Sequence, residues 1–180
     1  MENRISKTDK SLLIPSQYVK LIIGIGNPGK GYENTYHNVG FEAVDFLKEK
    51  FPKLLFLKSR NYMNASGLFV ARALKKKRLK TEQILIAHDD SDIGLGKFKL
   101  SFGRGSAGHK GVTSIIESLK TKDFWRLRIG IRAKNETQLN QTTNCIKAQN
   151  FVLKKIAEKD KKDIYKTLEE AAFKIQEISD

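Results

Sequence analysis

Apolar positions along the chain fall into two rhythms, and together they lay out the elements. Residues 1–18 mix Glu2, Arg4, Lys7, Asp9 and Lys10 with Ser and Thr, so a flexible tail is expected there. Val19 to Ile25 is a nearly continuous apolar run, the pattern of a strand covered on both faces, and it ends in the turn Gly26-Asn27-Pro28-Gly29. Val39, Ala43, Val44 and Leu47 recur at helical spacing through to about Lys50, with Asn38 as candidate N-cap. A short strand at Leu54 to Leu57 leads to a second helix, whose apolar face reads Ala65, Leu68, Phe69, Ala73 and Leu74. Ile84 to Ala87 predicts a buried strand opening into an acidic loop, His88-Asp89-Asp90-Ser91-Asp92. Lys97 to Leu100 alternates with period two, and a glycine-rich loop from Gly103 to Gly108 precedes a helix from His109 to Leu119. Arg126 to Arg132 alternates again, and a final helix is expected from Asp160 to about Ile178. Strands alternating with helices predict an α/β fold: a single domain over residues 19–180 with a mixed, mostly parallel, twisted sheet and helices on both faces.

Charge adds a statement about partners. The 180 residues hold 34 Lys and Arg against 20 Asp and Glu, a net charge of +14. Between Lys48 and Lys134 stand 21 basic and 7 acidic residues, whereas the remaining 93 residues carry 13 of each sign. A surplus confined to the middle of the chain points to one basic face aimed at a polyanion, the alternative being a solvated lysine-rich surface. Part of it, Lys75-Lys76-Lys77-Arg78, closes a helix, where cations are favourable for local reasons. Cys145 is the single cysteine, which leaves no disulfide framework and no thiolate metal site within one chain. No apolar run approaches the roughly 18 residues of a membrane span, and the N-terminus lacks the apolar core of a secretory signal. A cytoplasmic home and no membrane partner are expected.

Gly24-Ile25-Gly26-Asn27-Pro28-Gly29 has the spacing of a dinucleotide fingerprint. Asn27-Pro28 makes a turn, however, and the helical pattern resumes only near Asn38, so a pyrophosphate would find no helix N-terminus there. Ligands of open α/β sheets bind beyond the carboxyl ends of the strands, and the residues at those ends form a set. They are Asn27, Tyr32 and His37; Tyr62, Met63 and Asn64; His88 and Asp89; and His109. Amides, an aspartate and histidines at one rim suit hydrolysis by an activated water, with a histidine as base, an aspartate fixing its tautomer and amides orienting carbonyls. Taken singly, Asn38, Asn64 and His109 also read as helix caps and His88 as a filled core position. A magnesium site at Asp89, Asp90 and Asp92 competes with a solvated turn.

Five motifs in one order then carry a resemblance: Gly24-Ile25-Gly26-Asn27-Pro28-Gly29 with Tyr32 and His37-Asn38-Val39-Gly40; Tyr62-Met63-Asn64-Ala65-Ser66-Gly67; His88 to Asp92; Gly105 to Gly111; and Phe124 to Ile131. Over Lys20 to Ile175 the chain resembles bacterial-type peptidyl-tRNA hydrolases. That resemblance implies their fold and cleavage of the ester between a peptide and the terminal ribose of tRNA, with no cofactor and no metal. It implies His37 as general base, Asp89 as its carboxylate partner, and Asn27 and Asn64 as amides holding the peptide and the reacting water or carbonyl. It further implies Tyr32 and Met63 along the peptide groove, His109 facing it, and Lys97 and Arg128 on the terminal phosphate of the tRNA. A monomer is expected.

Three departures stand out against the family pattern. Lys110 occupies a position that is most often asparagine, so a substrate-facing amide becomes a cation able to reach a nucleotide or phosphate. Only 15 residues separate Leu47 from Met63, about twenty fewer than usual, so a strand or hairpin at that sheet edge is expected to be missing. The sequence ends at Asp180, with no room for the usual C-terminal extension. The shortening keeps open a catalytically inactive RNA-binding relative of the same fold.

Overall fold

The computed structural model describes residues 19–132 and 151–176; the expected tail, Cys145 and the polar stretch 134–149 lie outside the described residues. Five strands form one sheet: β1 (Leu21–Gly24), β2 (Leu55–Lys58), β3 (Ile84–Gly94), β4 (Phe98–Phe102) and β5 (Trp125–Arg132), in the order β2-β1-β3-β5-β4. All neighbours are parallel except β4, which runs antiparallel to β5 at the edge. Helices α1 (Val39–Lys50) and α4 (Glu158–Gln176) cover one face, while α2 (Ser66–Lys77) and α3 (Lys110–Leu119) cover the other. The mostly parallel α/β sheet with helices on both faces is as the apolar pattern predicts.

The period-two logic of the strands is visible in the two cores. Leu21 and Ile23 of β1 with Ile84 and Ile86 of β3 pack under Val70, Ala73, Leu74, Val112 and Ile115. Ile22, Leu85, Ala87, Leu127, Ile129 and Ile131 face the other way, onto Val39, Ala43, Val44 and Leu47 of α1 and Ile164, Leu168, Ala171 and Ile175 of α4.

The structure corrects the sequence reading in four places. His88, Asp89 and Asp90 are not in a loop: β3 continues through them to Gly94, opposite Arg128, Ile129 and Gly130 of β5. The backbone ladder outweighs the poor strand propensity of aspartate, and pairing slips only between Asp90 and Gly94. Leu68 does not face the core but is 53% exposed, because α2 starts at Ser66 and turns Gly67, Val70, Ala73 and Leu74 inward. Asn64 caps nothing; Ala65 holds the N-cap position of α2 and Asn64 is exposed. Asn38 does sit at the N-cap of α1, yet its side chain makes no cap bond and is used elsewhere. At the edge where the chain runs short between Leu47 and Met63, the sheet ends on β2, a four-residue, partly exposed strand.

The glycines of the fingerprint motif serve close packing. A Cβ on Gly24 would lie 2.2 Å from the Gly40 carbonyl oxygen, and one on Gly40 would lie 2.3 Å from that of Ala87. Helix α1 therefore rests directly on the backbone of β1 and β3, which sets the height of the segment before it. Gly40→Ala is expected to cost about 2–3 kcal/mol through this clash, measured as a lower denaturant midpoint. Gly31→Ala, where a methyl meets nothing within 4 Å, should stay within about 0.5 kcal/mol of the wild type.

Candidate active site

The site lies where the carboxyl end of β1 and the middle of β3, at Asp89, meet the starts of α1 and α3. Between β1 and α1 the chain makes two single helical turns, Lys30–Tyr32 and Tyr36–Asn38, the second delivering His37. That loop is strapped from behind by the segment leading into α4. Tyr36 stacks on Phe151 with ring centroids 4.4 Å apart, its hydroxyl donates to Asp160 Oδ2 at 2.5 Å, and its amide donates to the Lys154 carbonyl. Burial, reinforced by the Asp160 contact, pushes the Tyr36 hydroxyl up to about 12, so the strap holds as a neutral donor across the ordinary pH range.

Asp89 is the centre. One carboxylate oxygen, Oδ1, takes His37 Nδ1 at 2.8 Å and His109 Nε2 at 2.9 Å, in a pocket where Asp89 is buried. A carboxylate oxygen only accepts, so both ring nitrogens carry their protons toward it. His109 is tied at its other end, where Nδ1 accepts the amides of Gly111 and Val112 at the start of α3. It is thus the helix cap the sequence allowed and, at the same time, a brace for Asp89. His37 with Nδ1–H committed to Asp89 has its lone pair on Nε2, the form a general base requires. Burial opposes the charge on Asp89, but the two imidazoles outweigh it and hold the carboxyl well below the usual range.

The amides are sorted by the same accounting. Asn27 accepts the Met63 amide on Oδ1 at 2.8 Å, while Asn38 clasps the Asn27 backbone, accepting its N–H at 2.8 Å and donating to its carbonyl at 2.9 Å. With Oδ1 occupied, Asn27 has its Nδ2 donors left over for a ligand. Asn64 is exposed, and its side chain makes no hydrogen bond to the described residues. Tyr32 meets the exposed Tyr62 edge-on at 6.1 Å, beside the buried Met63.

Arg128 is turned inward. Its Nε donates to Asp90 Oδ2 at 2.7 Å, and Lys99 lies directly across from it in the β4–β5 register. Lys97, exposed, follows on the same face opposite Gly130. Lys110 is exposed at the first position of α3. Two residues escaped the sequence reading as members of this layer. Arg126, only 2% exposed and opposite Ser101, is drawn down to about 10 by burial and then by Arg128. The pairing role of Lys99 was also missed, and the alternation of Lys97-Phe98-Lys99 with Arg126-Leu127-Arg128 was the available signal.

His37, Asp89 and His109 are also the donors that could hold a metal ion, their ligand atoms lying within 4.8 Å of one another. The set is chemically suitable, yet the facing nitrogens are already hydrogen-bonded to Asp89, and the backbone amides on His109 Nδ1 keep the proton on Nε2. The triple-aspartate site is not assembled, since Asp90 is engaged by Arg128 and by the Asp92 amide.

A model of the family described as peptidyl-tRNA hydrolase matches residues 21–52 and 47–180. The chain belongs to the peptidyl-tRNA hydrolase family. It is 36% identical over 160 residues to the peptidyl-tRNA hydrolase of Mycoplasma capricolum, covering 78% of this chain and 82% of that one. It is 34% identical over 173 residues to that of Hydrogenobaculum, covering 86% and 87%. The crystal structure of peptidyl-tRNA hydrolase from Acinetobacter baumannii superposes with a TM-score of 0.76 at 30% identity, covering 89% of this chain and 88% of that chain. This peptidyl-tRNA hydrolase family member thus shares the fold of that structure.

His88 adds a pH-sensitive element to the site. Its Nδ1–H donates to the Asp89 carbonyl at 2.6 Å and its Nε2 is buried without a partner among the described residues. Burial first, then the neighbouring His109, hold its pKa well below the ordinary value. The folded state therefore refuses a proton that the unfolded chain accepts below about pH 6.5, so stability is present above that pH and falls as the solution is acidified. In His88→Leu the slope of unfolding free energy between pH 5 and 6.5 should be shallower than in the wild type by up to about 1.4 kcal/mol per pH unit. Equal slopes in denaturant titrations would contradict the assignment.

Proposed function

We propose that this chain hydrolyses the ester joining a peptide to the terminal ribose of tRNA, with His37 as base and Asp89 as the group that orients it. The observation that supports this most directly is the commitment of His37 Nδ1 to Asp89 Oδ1, which leaves Nε2 for a water. In the reaction Nε2 takes a proton from that water, the oxygen attacks the ester carbonyl, and the ribose oxygen leaves with the proton returned from His37. Asn27 Nδ2 and Asn64 are the donors for the peptide carbonyls and the developing oxyanion, with Tyr32, Tyr62 and Met63 along the groove. His109 acts through Asp89, as a positioning residue. Lys97, Lys99 and Arg128 are assigned to the phosphate of the tRNA end, and Lys110 to a nucleotide or phosphate nearer the ester. An ester yields to a well-placed water with general-base help worth about 10² to 10⁴, so no metal or covalent nucleophile is needed. The working unit in this reading is a monomer. The inactive RNA-binding alternative is disfavoured because the base, its carboxylate and both amides are retained.

Release of peptide from labelled peptidyl-tRNA tests the proposal. His37→Ala is expected to lower the rate about 10²- to 10⁴-fold, and Asp89→Asn to fall in the same range, with tRNA binding retained. A wild type that binds tRNA and releases nothing, or a His37→Ala variant as fast as wild type, would end the enzyme reading. A chelator should leave the rate unchanged; a loss reversed by added divalent ion would instead make His37, Asp89 and His109 metal ligands.

A further inference from the structure

Charge is distributed unequally between the two faces of the sheet. On one face α1 carries Lys48 and Lys50 against Glu42, Asp45 and Glu49, and α4 carries five basic and five acidic residues. On the other face, residues 66–83 hold Arg72, Lys75, Lys76, Lys77, Arg78 and Lys80 against Glu82 alone. All six cations are exposed, and among the described residues none makes an ion pair.

The placement of these cations is specific. Both α2 and α3 start at the site, α2 just after Asn64 and α3 at His109, and both end at the opposite end of the strands, where β3 and β5 begin. Lys75, Lys76, Lys77, Arg78 and Lys80 in and after α2 and Lys120 and Lys122 after α3 therefore gather at one end of one face, where Glu82 and Asp123 are the acidic residues of the same two segments. Leu68, Arg72 and Lys75 lie along the outward side of α2 at helical spacing and link that cluster to Asn64, a distance of about 17 Å. Helix-dipole complementarity explains cations in the last turn but neither Arg72, in the middle of the helix, nor Lys80 and Lys122 beyond the ends. Backbone conformation points the same way. Arg78 and Lys120 close their helices in the left-handed region, at φ 53° and 58°, where glycine is the favoured residue and a long side chain is kept at a conformational cost.

We infer that the outer surface of α2, with the cations closing α2 and α3, is a phosphate-contacting surface for the double-stranded body of the RNA substrate. It is distinct from the Lys97, Lys99 and Arg128 group, which sits on the β4 side of α3. Three features fit a duplex RNA backbone. The surface is long, it carries several unpaired point charges in place of a pocket, and it is continuous with the rim that would hold the RNA end. The inference rests on the tRNA ester reading above for the identity of the RNA, while its test is a binding measurement independent of hydrolysis.

The combined variant Arg72→Gln, Lys75→Gln, Lys76→Gln and Lys77→Gln is compared with Lys159→Gln, Lys162→Gln and Lys166→Gln on α4. Binding of uncharged tRNA is followed over a range of salt. The α2 variant should lower the slope of log K against log salt by about two to four, and the α4 variant should leave it unchanged. On whole peptidyl-tRNA the α2 variant should raise KM at least tenfold with kcat kept, and on a peptidyl ester of the terminal trinucleotide it should match the wild type. An unchanged salt slope overturns the inference, as does an equal loss on the trinucleotide ester, which would mean damage to the site. Loss of binding to anionic vesicles with tRNA binding intact would overturn it in favour of a membrane surface. A wild type that binds tRNA with this slope but cleaves nothing would defeat the hydrolase proposal and leave this surface standing.

Discussion

A single buried carboxylate oxygen organises this molecule. Asp89 Oδ1 receives two imidazoles, one from the loop before α1 and one from the cap of α3, so elements from opposite faces of the sheet are joined at one atom. Burying a charge there is costly unless it is hydrogen-bonded, and two N–H donors meet that requirement. The consequence for chemistry is directional. With both donors aimed at Asp89, each histidine has one tautomer, and the two differ. His109 spends its remaining nitrogen on the backbone of α3, whereas His37 keeps its own for a ligand.

The rest of the architecture can be understood as holding that arrangement still. Gly24 and Gly40 let α1 lie on the sheet backbone, Asn38 fixes Asn27 from below, and Asn27 in turn fixes the amide of Met63. The strap from Phe151 to Asp160 holds the His37 loop from the other side, through contacts more than a hundred residues distant in sequence. Separate loops thus become one rigid rim, which is what positioning a water against an ester demands.

How much of this the sequence discloses depends on the range of the interaction. The apolar runs place the strands and helices to within a few residues, apart from the far half of β3, because burial on a sheet or helix face is written locally as period two or 3.6. His37, Asp89, Asn27 and His109 could be collected because sites of this fold class lie at strand ends. The division of labour among them was not legible. That Asn38 serves Asn27 in place of the helix it caps, that His109 braces Asp89, and that His88–Asp90 stay in the ladder all depend on partners brought close only by folding. Leu68 shows the same limit at smaller scale, since the buried face of α2 runs through Gly67, Val70, Ala73 and Leu74 and leaves that leucine on the solvent side.

That exposed leucine also bears on how the surface charge should be understood. A net charge of +14 is compatible with general repulsion for solubility, which would be served equally well by either face of the sheet. Balance on α1 and α4 beside an unpaired surplus on α2 is not what solubility alone would produce. A polyanion that reaches the rim from one side requires such an asymmetry, because cations on the far face would compete for it without bringing its end to His37. The same reasoning separates the roles of the two groups of cations: those beside Asp90 are partly spent on internal pairing, as Arg128 is, while those of α2 keep their full charge for a ligand. On the proposed reading, affinity for the length of the RNA and precision at its end belong to different elements, joined through the sheet that carries Asp89.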